Sequence, residues 1–190
     1  MAFPDEAFAP SLVVDIGGRV EGERFREFTP SGRHRPMSTE IERKFLLKGT
    51  AWKEGATGTN VRQGYLSTDQ ERTVRVRMIG EEGFVTIKGI TRGVSRLEFE
   101  YAIPMADANR MLDELCPHPL IEKIRYRIPY GDLVWEVDEF RSENEGLVVA
   151  EVELSHEDQE ITIPEWIGEE VSGDPRYRNS NLSVYPYTEW

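Results

Sequence analysis

The feature that most constrains the fold is a pair of charged residues, separated by one residue, that recurs in almost every alternating segment from Glu40 onward. Residues i and i+2 of a β-strand share a face, so each pair gives its strand one charged and one apolar face. The pairs segregate by sign: Glu40/Glu42, Arg75/Arg77, Glu98/Glu100, Lys123/Arg125, Glu136/Asp138 and Glu151/Glu153. The wet face of a half-buried sheet explains any single pair. The separation of acidic and basic pairs onto different strands favours a fold in which the charged faces of these strands point toward one another.

The segments that carry these pairs are short, alternate in polarity and end at Gly, Pro or charged turn residues, which predicts β-strands. The predicted strands are residues 40–47, 61–67, 73–79, 84–88, 96–103, 121–130, 133–140 and 147–154. Gly131 and Asp132 predict a two-residue hairpin of type II′. Residues 104–115 predict one helix, and residues 164–173 a second, short helix.

A closed barrel with the charged faces inside accommodates this pattern. Closure removes sheet edges, and about eight strands leave room for a ligand. Two carboxylates about 4 Å apart repel by about 4 kcal/mol at an effective dielectric of about 20, so the acidic pairs need cations such as Mg²⁺ or Mn²⁺. The basic pairs need an anion, and arginine binds phosphate oxygens bidentately. We therefore expect an α+β fold, a closed β-barrel of about eight strands with a few flanking helices, around a polyphosphate that chelates a metal.

The first 36 residues differ from the rest, because they show no sustained strand or helix period and end in a linker-like stretch, residues 31–36. We interpret residues 1–36 as an N-terminal extension, either a flexible arm or a mis-assigned start with translation from Met37. Residues 37–190 form the predicted functional domain, and the length suits one compact domain.

Composition restricts the partners. The net charge of −12 argues against nucleic acid, whose binding depends on Lys and Arg. No apolar run approaches the roughly 20 residues that span a bilayer, and the start does not resemble a signal peptide. The single cysteine, Cys116, excludes an internal disulfide. We expect a cytoplasmic protein with a small phosphorylated ligand and no membrane partner. Apolar strand faces that point outward are also compatible with a homodimer.

The segment Glu40-Ile41-Glu42-Arg43-Lys44 resembles the ExExK signature of the CYTH superfamily, the triphosphate tunnel metalloenzymes. The other charged pairs follow in the order of that family, and the resemblance covers about residues 39–182. Further segments resemble the short bacterial branch associated with inorganic triphosphatase activity: Arg62-Gln63-Gly64-Tyr65-Leu66, Trp166-Ile167-Gly168 and Asp174-Pro175-Arg176-Tyr177-Arg178-Asn179. Arg178 stands where that branch often has lysine, so the roles of Arg176 and Arg178 stay open.

The resemblance implies a closed eight-stranded antiparallel β-barrel that forms a tunnel. It also implies hydrolysis of inorganic tripolyphosphate to phosphate and pyrophosphate in that tunnel, with one or two Mg²⁺ or Mn²⁺ ions. The residues expected to bind phosphate are Arg75, Arg77, Lys88, Lys123 and Arg125. The expected metal ligands are Glu40, Glu42, Asp138, Glu151 and Glu153. The acids expected to orient the basic side chains are Glu98, Glu100 and Glu136.

The resemblance also suggests a dyad of Lys44 and Tyr65 near the attacking water. A cation beside a phenol favours the phenolate, so we expect Lys44 to lower the Tyr65 pKa toward that of a useful base. The alternative is that Tyr65 is an aromatic residue of the barrel wall.

Other functions remain open at this point. Hydrolysis of thiamine or nucleoside triphosphates requires extra contacts to an organic group, and cyclisation of ATP by a class IV type of adenylate cyclase requires an adenine pocket. A non-catalytic polyphosphate-binding module would keep the basic walls, but the intact set of carboxylates argues against it.

Overall fold

The computed structural model describes residues 38–190, which form nine strands and two α-helices. The strands are β1 Ser38–Leu47, β2 Gly58–Ser67, β3 Arg72–Ile79, β4 Glu82–Gly89, β5 Ser95–Ile103, β6 Ile121–Tyr130, β7 Leu133–Phe140, β8 Val148–Glu153 and β9 Ile167–Glu170. The helices are α1 Met105–Glu114 and α2 Asn179–Leu182. The eight predicted strands and the first predicted helix are confirmed. The predicted extension, residues 1–36, lies outside the described residues.

Eight of the strands close into an antiparallel barrel in the order β5-β4-β3-β2-β6-β7-β8-β1, and a pairing between β1 and β5 completes the ring. Strand β1 pairs with two ring neighbours along different parts of its length: residues 38–41 pair with β5, and residues 42–46 pair with β8. The predicted closed eight-stranded barrel is therefore confirmed, and β1 forms its seam.

The prediction of a short helix at residues 164–173 is wrong, because this segment contains strand β9. Phe45 pairs with Glu170 and Leu47 with Ile167, so β9 lies against the second half of β1. The ladder with β5 ends at Ile41, and the edge of β1 beyond it carries backbone groups that need partners. Arg43 fixes β9 further by donating to Glu170 at 2.9 and 2.6 Å.

The apolar strand faces point outward and are covered. On β1, β7 and β8 they form a cluster around Phe45, Trp135 and Val152, with Trp52 and Ile167 packed against them. Helix α1 covers β3 and β4 through Ala108 and Leu112. It can approach closely because Gly83 has no side chain; a Cβ there would lie 2.8 Å from the Cβ of Ala108. The apolar residues thus occupy the outside of the barrel wall, and the charged faces are left for the interior.

The tight connection between β6 and β7 matches the predicted hairpin. Tyr130 pairs with Leu133 across the two-residue loop, and Gly131 has φ of 59°, the left-handed region that a type II′ turn requires at its first position. None of the helices within residues 38–190 has the length and apolar character needed to cross a membrane.

Candidate active site

The barrel encloses a cavity of about 1120 Å³. Ten of the predicted site residues line it: Glu40, Glu42, Lys44, Tyr65, Arg75, Arg77, Lys88, Arg125, Glu151 and Glu153. The charged pairs therefore face one another inside the barrel. The two remaining predicted residues, Lys123 and Asp138, are not part of the lining.

The acidic pair of β1 is held by three cations. Lys88 Nζ and Arg96 Nε donate to Glu40 Oε2 at 2.9 and 2.7 Å. Lys44 Nζ and Arg96 Nη2 donate to Glu42 Oε1 at 3.1 and 3.4 Å. Burial alone would raise the pKa of Glu40, but Lys88 and Arg96 hold that pKa well below its usual range. This carboxylate is consequently ionised inside the barrel.

The opposite wall carries the two arginines of β3. The Nη2 atoms of Arg75 and Arg77 contact Glu100 Oε2 at 3.4 and 2.7 Å, and Thr86 donates to the same oxygen at 2.8 Å. Glu98 contacts Lys88 at 2.5 Å. Glu98 and Glu100 thus contact the basic side chains that we expected them to orient.

Arg125 is the most heavily bonded cation of the cavity. Its Nε and Nη2 atoms donate to the two oxygens of Asp138 at 2.6 Å each, and Nη2 also donates to Glu151 at 2.8 Å. Nη1 donates to Glu136, the third acid that we expected to orient a basic residue. These contacts fix the plane of the guanidinium at the cavity surface.

Lys123 and Asp138 lie behind Arg125. Lys123 Nζ contacts Asp138 Oδ2 at 2.5 Å, and the two side chains are only 2% and 1% exposed. Burial lowers the pKa of Lys123 to about 8, although the neighbouring Asp138 acts in the opposite direction. The structure therefore places this pair within the wall and not at the surface of the cavity.

Lys44 and Tyr65 both line the cavity, but their pKa values differ from our expectation. Burial raises the pKa of Tyr65 to about 12, which outweighs the lowering by Arg75, Arg96 and Lys44. Its hydroxyl accepts a hydrogen bond from Gln63 Nε2 at 3.2 Å. Although burial lowers the pKa of Lys44, its partners Glu151 and Glu42 raise it above the ordinary value. The expected low pKa of Tyr65 is wrong for this arrangement, because desolvation of the phenolate dominates.

Arg96 and Arg178 line the cavity although neither was among the predicted site residues, and the sequence had left the role of Arg178 open. Arg96 shares the face of Glu98 and Glu100, so the spacing that identified that acidic pair also identifies Arg96. Arg178 reaches the cavity from the C-terminal segment. Among the described residues it makes no ion pair, in contrast to the other cations named above. No strand pattern marks Arg178, since it precedes the short helix α2.

The carboxylates offer an all-oxygen donor set to a divalent ion. Glu40, Glu42, Glu151 and Glu153 line the same cavity, and Glu42 is the register partner of Glu153. Within residues 38–190 no three acidic, His or Cys side chains form a ready-made cluster, and lysine and arginine groups contact the carboxylate oxygens instead. Carboxylate oxygens are the donors that Mg²⁺ and Mn²⁺ prefer, so the donor chemistry fits either ion.

Known proteins resemble the chain over this same region. A model of the CYTH domain family matches residues 38–183. The chain is 52% identical over 151 residues to an inorganic triphosphatase of Acetivibrio thermocellus, which covers 80% of this chain and 97% of the relative. An inorganic triphosphatase of Nitrosomonas europaea is 38% identical over 152 residues, with 77% and 97% covered. A crystal structure of an inorganic triphosphatase has a TM-score of 0.55 at 33% identity, and the match covers 78% of this chain and 96% of that one.

Proposed function

The chain belongs to the CYTH domain family, and from this premise we propose that it is an inorganic triphosphatase that hydrolyses tripolyphosphate with the help of a divalent metal ion. Relatives of that name, matched over nearly their whole length, support the activity. The observation that carries the proposal is the enclosure of basic and acidic walls in one cavity. A metal-chelated polyphosphate neutralises both walls at once.

The basic residues of the cavity bind the phosphates. Arg75, Arg77, Lys88 and Arg125 line the cavity and are held by carboxylates, so their donors are oriented before the substrate arrives. Preorganised cations stabilise the charge that shifts over phosphate oxygens in the transition state, which is the main catalytic task in phosphoryl transfer. Lys123 and Asp138 act through Arg125, whose position they fix from behind. Arg178, which has no acidic partner among the described residues, adds a further phosphate contact.

Glu40, Glu42, Glu151 and Glu153 hold Mg²⁺ or Mn²⁺. A bound divalent ion neutralises phosphate charge and lowers the pKa of a coordinated water. The four carboxylates come from only two adjacent strands, β1 and β8, which supports their action as one ligand set.

Lys44 and Tyr65 act beside the scissile phosphate in their protonated forms. With a pKa of about 12, Tyr65 donates a hydrogen bond to a phosphate oxygen or to the attacking water instead of removing a proton. Lys44 bridges Glu42 and Glu151 and supplies positive charge next to the metal ligands.

A panel of substrates tests the proposal. The wild-type protein is assayed with tripolyphosphate, thiamine triphosphate and ATP, each with Mg²⁺ or Mn²⁺, and phosphate, pyrophosphate and cyclic AMP are quantified. We expect equal amounts of phosphate and pyrophosphate from tripolyphosphate, with the highest kcat/KM of the panel. A higher value for an organic triphosphate, production of cyclic AMP, or tight binding without turnover would each favour one of the alternative functions.

A pair of variants connects this activity to the cavity. Arg77→Ala removes a lining guanidinium and is expected to lower kcat/KM by about a hundredfold or more, because charge-assisted contacts to the transition state are lost. Arg92→Ala is the matched control, since Arg92 is exposed and lies outside the lining. Equal activity of both variants would contradict the proposed phosphate site.

A further inference from the structure

Arg96 occupies an unusual position among the cations of the cavity. It lies on β5 as the register partner of Glu40, and its side chain is 22% exposed. Its guanidinium spans the acidic pair of β1, with Nε 2.7 Å from Glu40 Oε2 and Nη2 3.4 Å from Glu42 Oε1. Among residues 40–190 these two carboxylates are its only ion-pair partners, and both belong to the proposed metal ligands.

The neighbouring lysines differ from Arg96 in this respect. Lys44 also contacts Glu151, and Lys88 also contacts Glu98. A divalent ion that takes up Glu40 and Glu42 therefore leaves each lysine with one ion-pair partner. Among residues 40–190 it leaves Arg96 with no carboxylate at ion-pair distance, and only Glu98 attracts it at longer range. A guanidinium and a divalent cation at the same carboxylate oxygens repel each other, so the two compete for the site.

The charge of Arg96 strengthens this competition between the guanidinium and the metal for the carboxylates of Glu40 and Glu42. The Arg96 guanidinium stays charged whether or not a metal is bound, because arginine does not lose its proton in proteins. Removing one partner of such a pair leaves the other charge uncompensated inside the protein. A displaced Arg96 consequently needs a new anion, and the oxygens of a polyphosphate in the same cavity provide one.

We propose that Arg96 is a built-in counter-ion of the metal ligands, which gives up Glu40 and Glu42 when the metal binds and then binds a phosphate oxygen of the substrate. This inference rests on the proposed function. It makes the metal and the polyphosphate bind cooperatively, because the anion that accompanies the metal takes over the displaced guanidinium. A metal ion alone binds weakly, since it must break both ion pairs of Arg96.

Calorimetric titration with Mn²⁺ alone, in the absence of any phosphate, tests the first half of the proposal. Arg96→Gln removes the competing charge and is expected to bind Mn²⁺ about tenfold more tightly than the wild type. The matched control is Arg127→Gln, which removes the same charge from the same cavity. Arg127 is 70% exposed and pairs with Glu136 at 3.4 Å, away from Glu40 and Glu42. The control is expected to change the Mn²⁺ affinity by less than about twofold.

Steady-state kinetics at saturating metal test the second half. Arg96→Gln loses a charge-assisted phosphate contact, so its KM for tripolyphosphate is expected to rise about tenfold or more. The two effects of one substitution have opposite signs, tighter metal binding and weaker substrate binding. If Arg96 only joined β5 to β1, its substitution would weaken the binding of both the metal and the substrate, or of neither. An Mn²⁺ affinity of Arg96→Gln equal to or below that of the wild type would overturn the counter-ion role.

Thermal unfolding provides a readout that requires no activity. Without metal, Arg96→Gln leaves Glu40 and Glu42 short of one cation, so its Tm is expected to lie below that of the wild type and to rise more on addition of Mn²⁺. If Arg96→Gln does not fold, Arg96→Lys replaces it in the titration. Lysine keeps the charge but cannot span both carboxylates, and an Mn²⁺ affinity no higher than that of the wild type would again overturn the proposal.

The outcomes separate this inference from the proposed function. Wild-type protein that turns over no triphosphate would refute the proposed function, whatever the variants bind. Wild-type turnover of tripolyphosphate, together with unchanged Mn²⁺ binding in Arg96→Gln, would refute only the role of Arg96.

Discussion

At the scale of single residues, the ion pair of Lys123 and Asp138 shows how the barrel holds charge away from water. Both side chains are almost completely buried, and Asp138 also accepts two hydrogen bonds from Arg125. Desolvation of such a pair offsets much of its attraction, but loss of one member leaves a buried charge without compensation. Asp138 therefore matters for the stability of the barrel before any ligand is considered.

Asp138→Asn is expected to lower the free energy of unfolding by about 3–5 kcal/mol, because Lys123 and Arg125 lose their shared carboxylate. Urea denaturation without added metal measures this loss. Asp113→Asn is the control, since Asp113 forms a surface pair with Arg62 and its side chain is 46% exposed. The control is expected to cost less than about 1 kcal/mol. Similar losses for both variants would show that Asp138 contributes no special stabilisation.

Tyr65 is expected to keep its proton far into the alkaline range. Its pKa of about 12 in the folded state exceeds the usual value of about 10, so the folded protein binds this proton more tightly than the unfolded chain. The resulting stabilisation is complete below pH 10 and disappears as the pH rises toward 12. The difference in absorbance near 295 nm between wild type and Tyr65→Phe measures the titration directly.

Two results would contradict this view of Tyr65. One is a phenolate difference between wild type and Tyr65→Phe that is already present at pH 10. The other is a change in the shape of the pH–rate profile in Tyr65→Phe, which would make Tyr65 the titrating base after all. We expect a lower turnover with an unchanged profile.

The spacing of charged residues predicts which face of each strand they occupy, but it does not predict their depth in the barrel. Lys123 and Arg125 share a face and a charge, yet one lies inside the wall and the other at the cavity surface. Depth depends on strand tilt and stagger, which only the closed barrel defines. For the same reason the sequence predicted that Lys44 and Tyr65 share a site, but not that burial would dominate the pKa of Tyr65.

At the scale of secondary-structure elements, the alternation of charged and apolar residues was sufficient to predict the eight barrel strands but not to predict β9. Each barrel strand separates a charged face from an apolar one, so its period appears in the sequence. Strand β9 has four residues, and it is extended because the edge of β1 past Ile41 pairs with it. Such a conformation originates in tertiary pairing, which local sequence does not reveal.

The packing of α1 on the barrel depends on Gly83. Gly83→Ala places a Cβ 2.8 Å from Ala108 Cβ and 3.0 Å from the carbonyl oxygen of Ile103, so the helix must shift. We expect a loss of about 1–3 kcal/mol in the free energy of unfolding, which thermal or urea denaturation measures. Gly173→Ala is the control, because a Cβ at Gly173 meets nothing within 4 Å. A Gly83→Ala variant as stable as this control would show that α1 does not rest on β4 as described.

At the scale of the whole molecule, the net charge of −12 coexists with a cavity that carries arginines and lysines. Net charge describes the distant field of a protein, whereas a ligand in an enclosed site experiences its immediate neighbours. The negative total therefore excluded nucleic acid as an expected partner without excluding a small polyanion. The sequence alone allows this distinction between total and local charge. Its basic residues alternate with apolar ones in strands, which places them together on one face.

All described residues of the cavity wall lie between Glu40 and Ser180, so a chain that starts at Met37 is expected to keep the barrel and its activity. Far-UV circular dichroism, the Tm and kcat/KM of this shortened chain are compared with those of the full chain. We expect kcat/KM within about twofold. A much larger loss would assign residues 1–36 to the functional domain, contrary to the predicted boundary.

The seam at β1 also has a consequence for synthesis on the ribosome. Glu42 of β1 pairs with Glu153 of β8, and Lys44 pairs with Glu151. The barrel can therefore close only after β8, the last strand of the ring, has been synthesised, although β1 emerges before the other strands of the ring. Until then the alternating charges remain in water, and charged residues within apolar strands act as gatekeepers that discourage intermolecular β-pairing. The side chains that we propose to bind substrate in the finished protein thus also discourage aggregation of the nascent polypeptide while it is still incomplete.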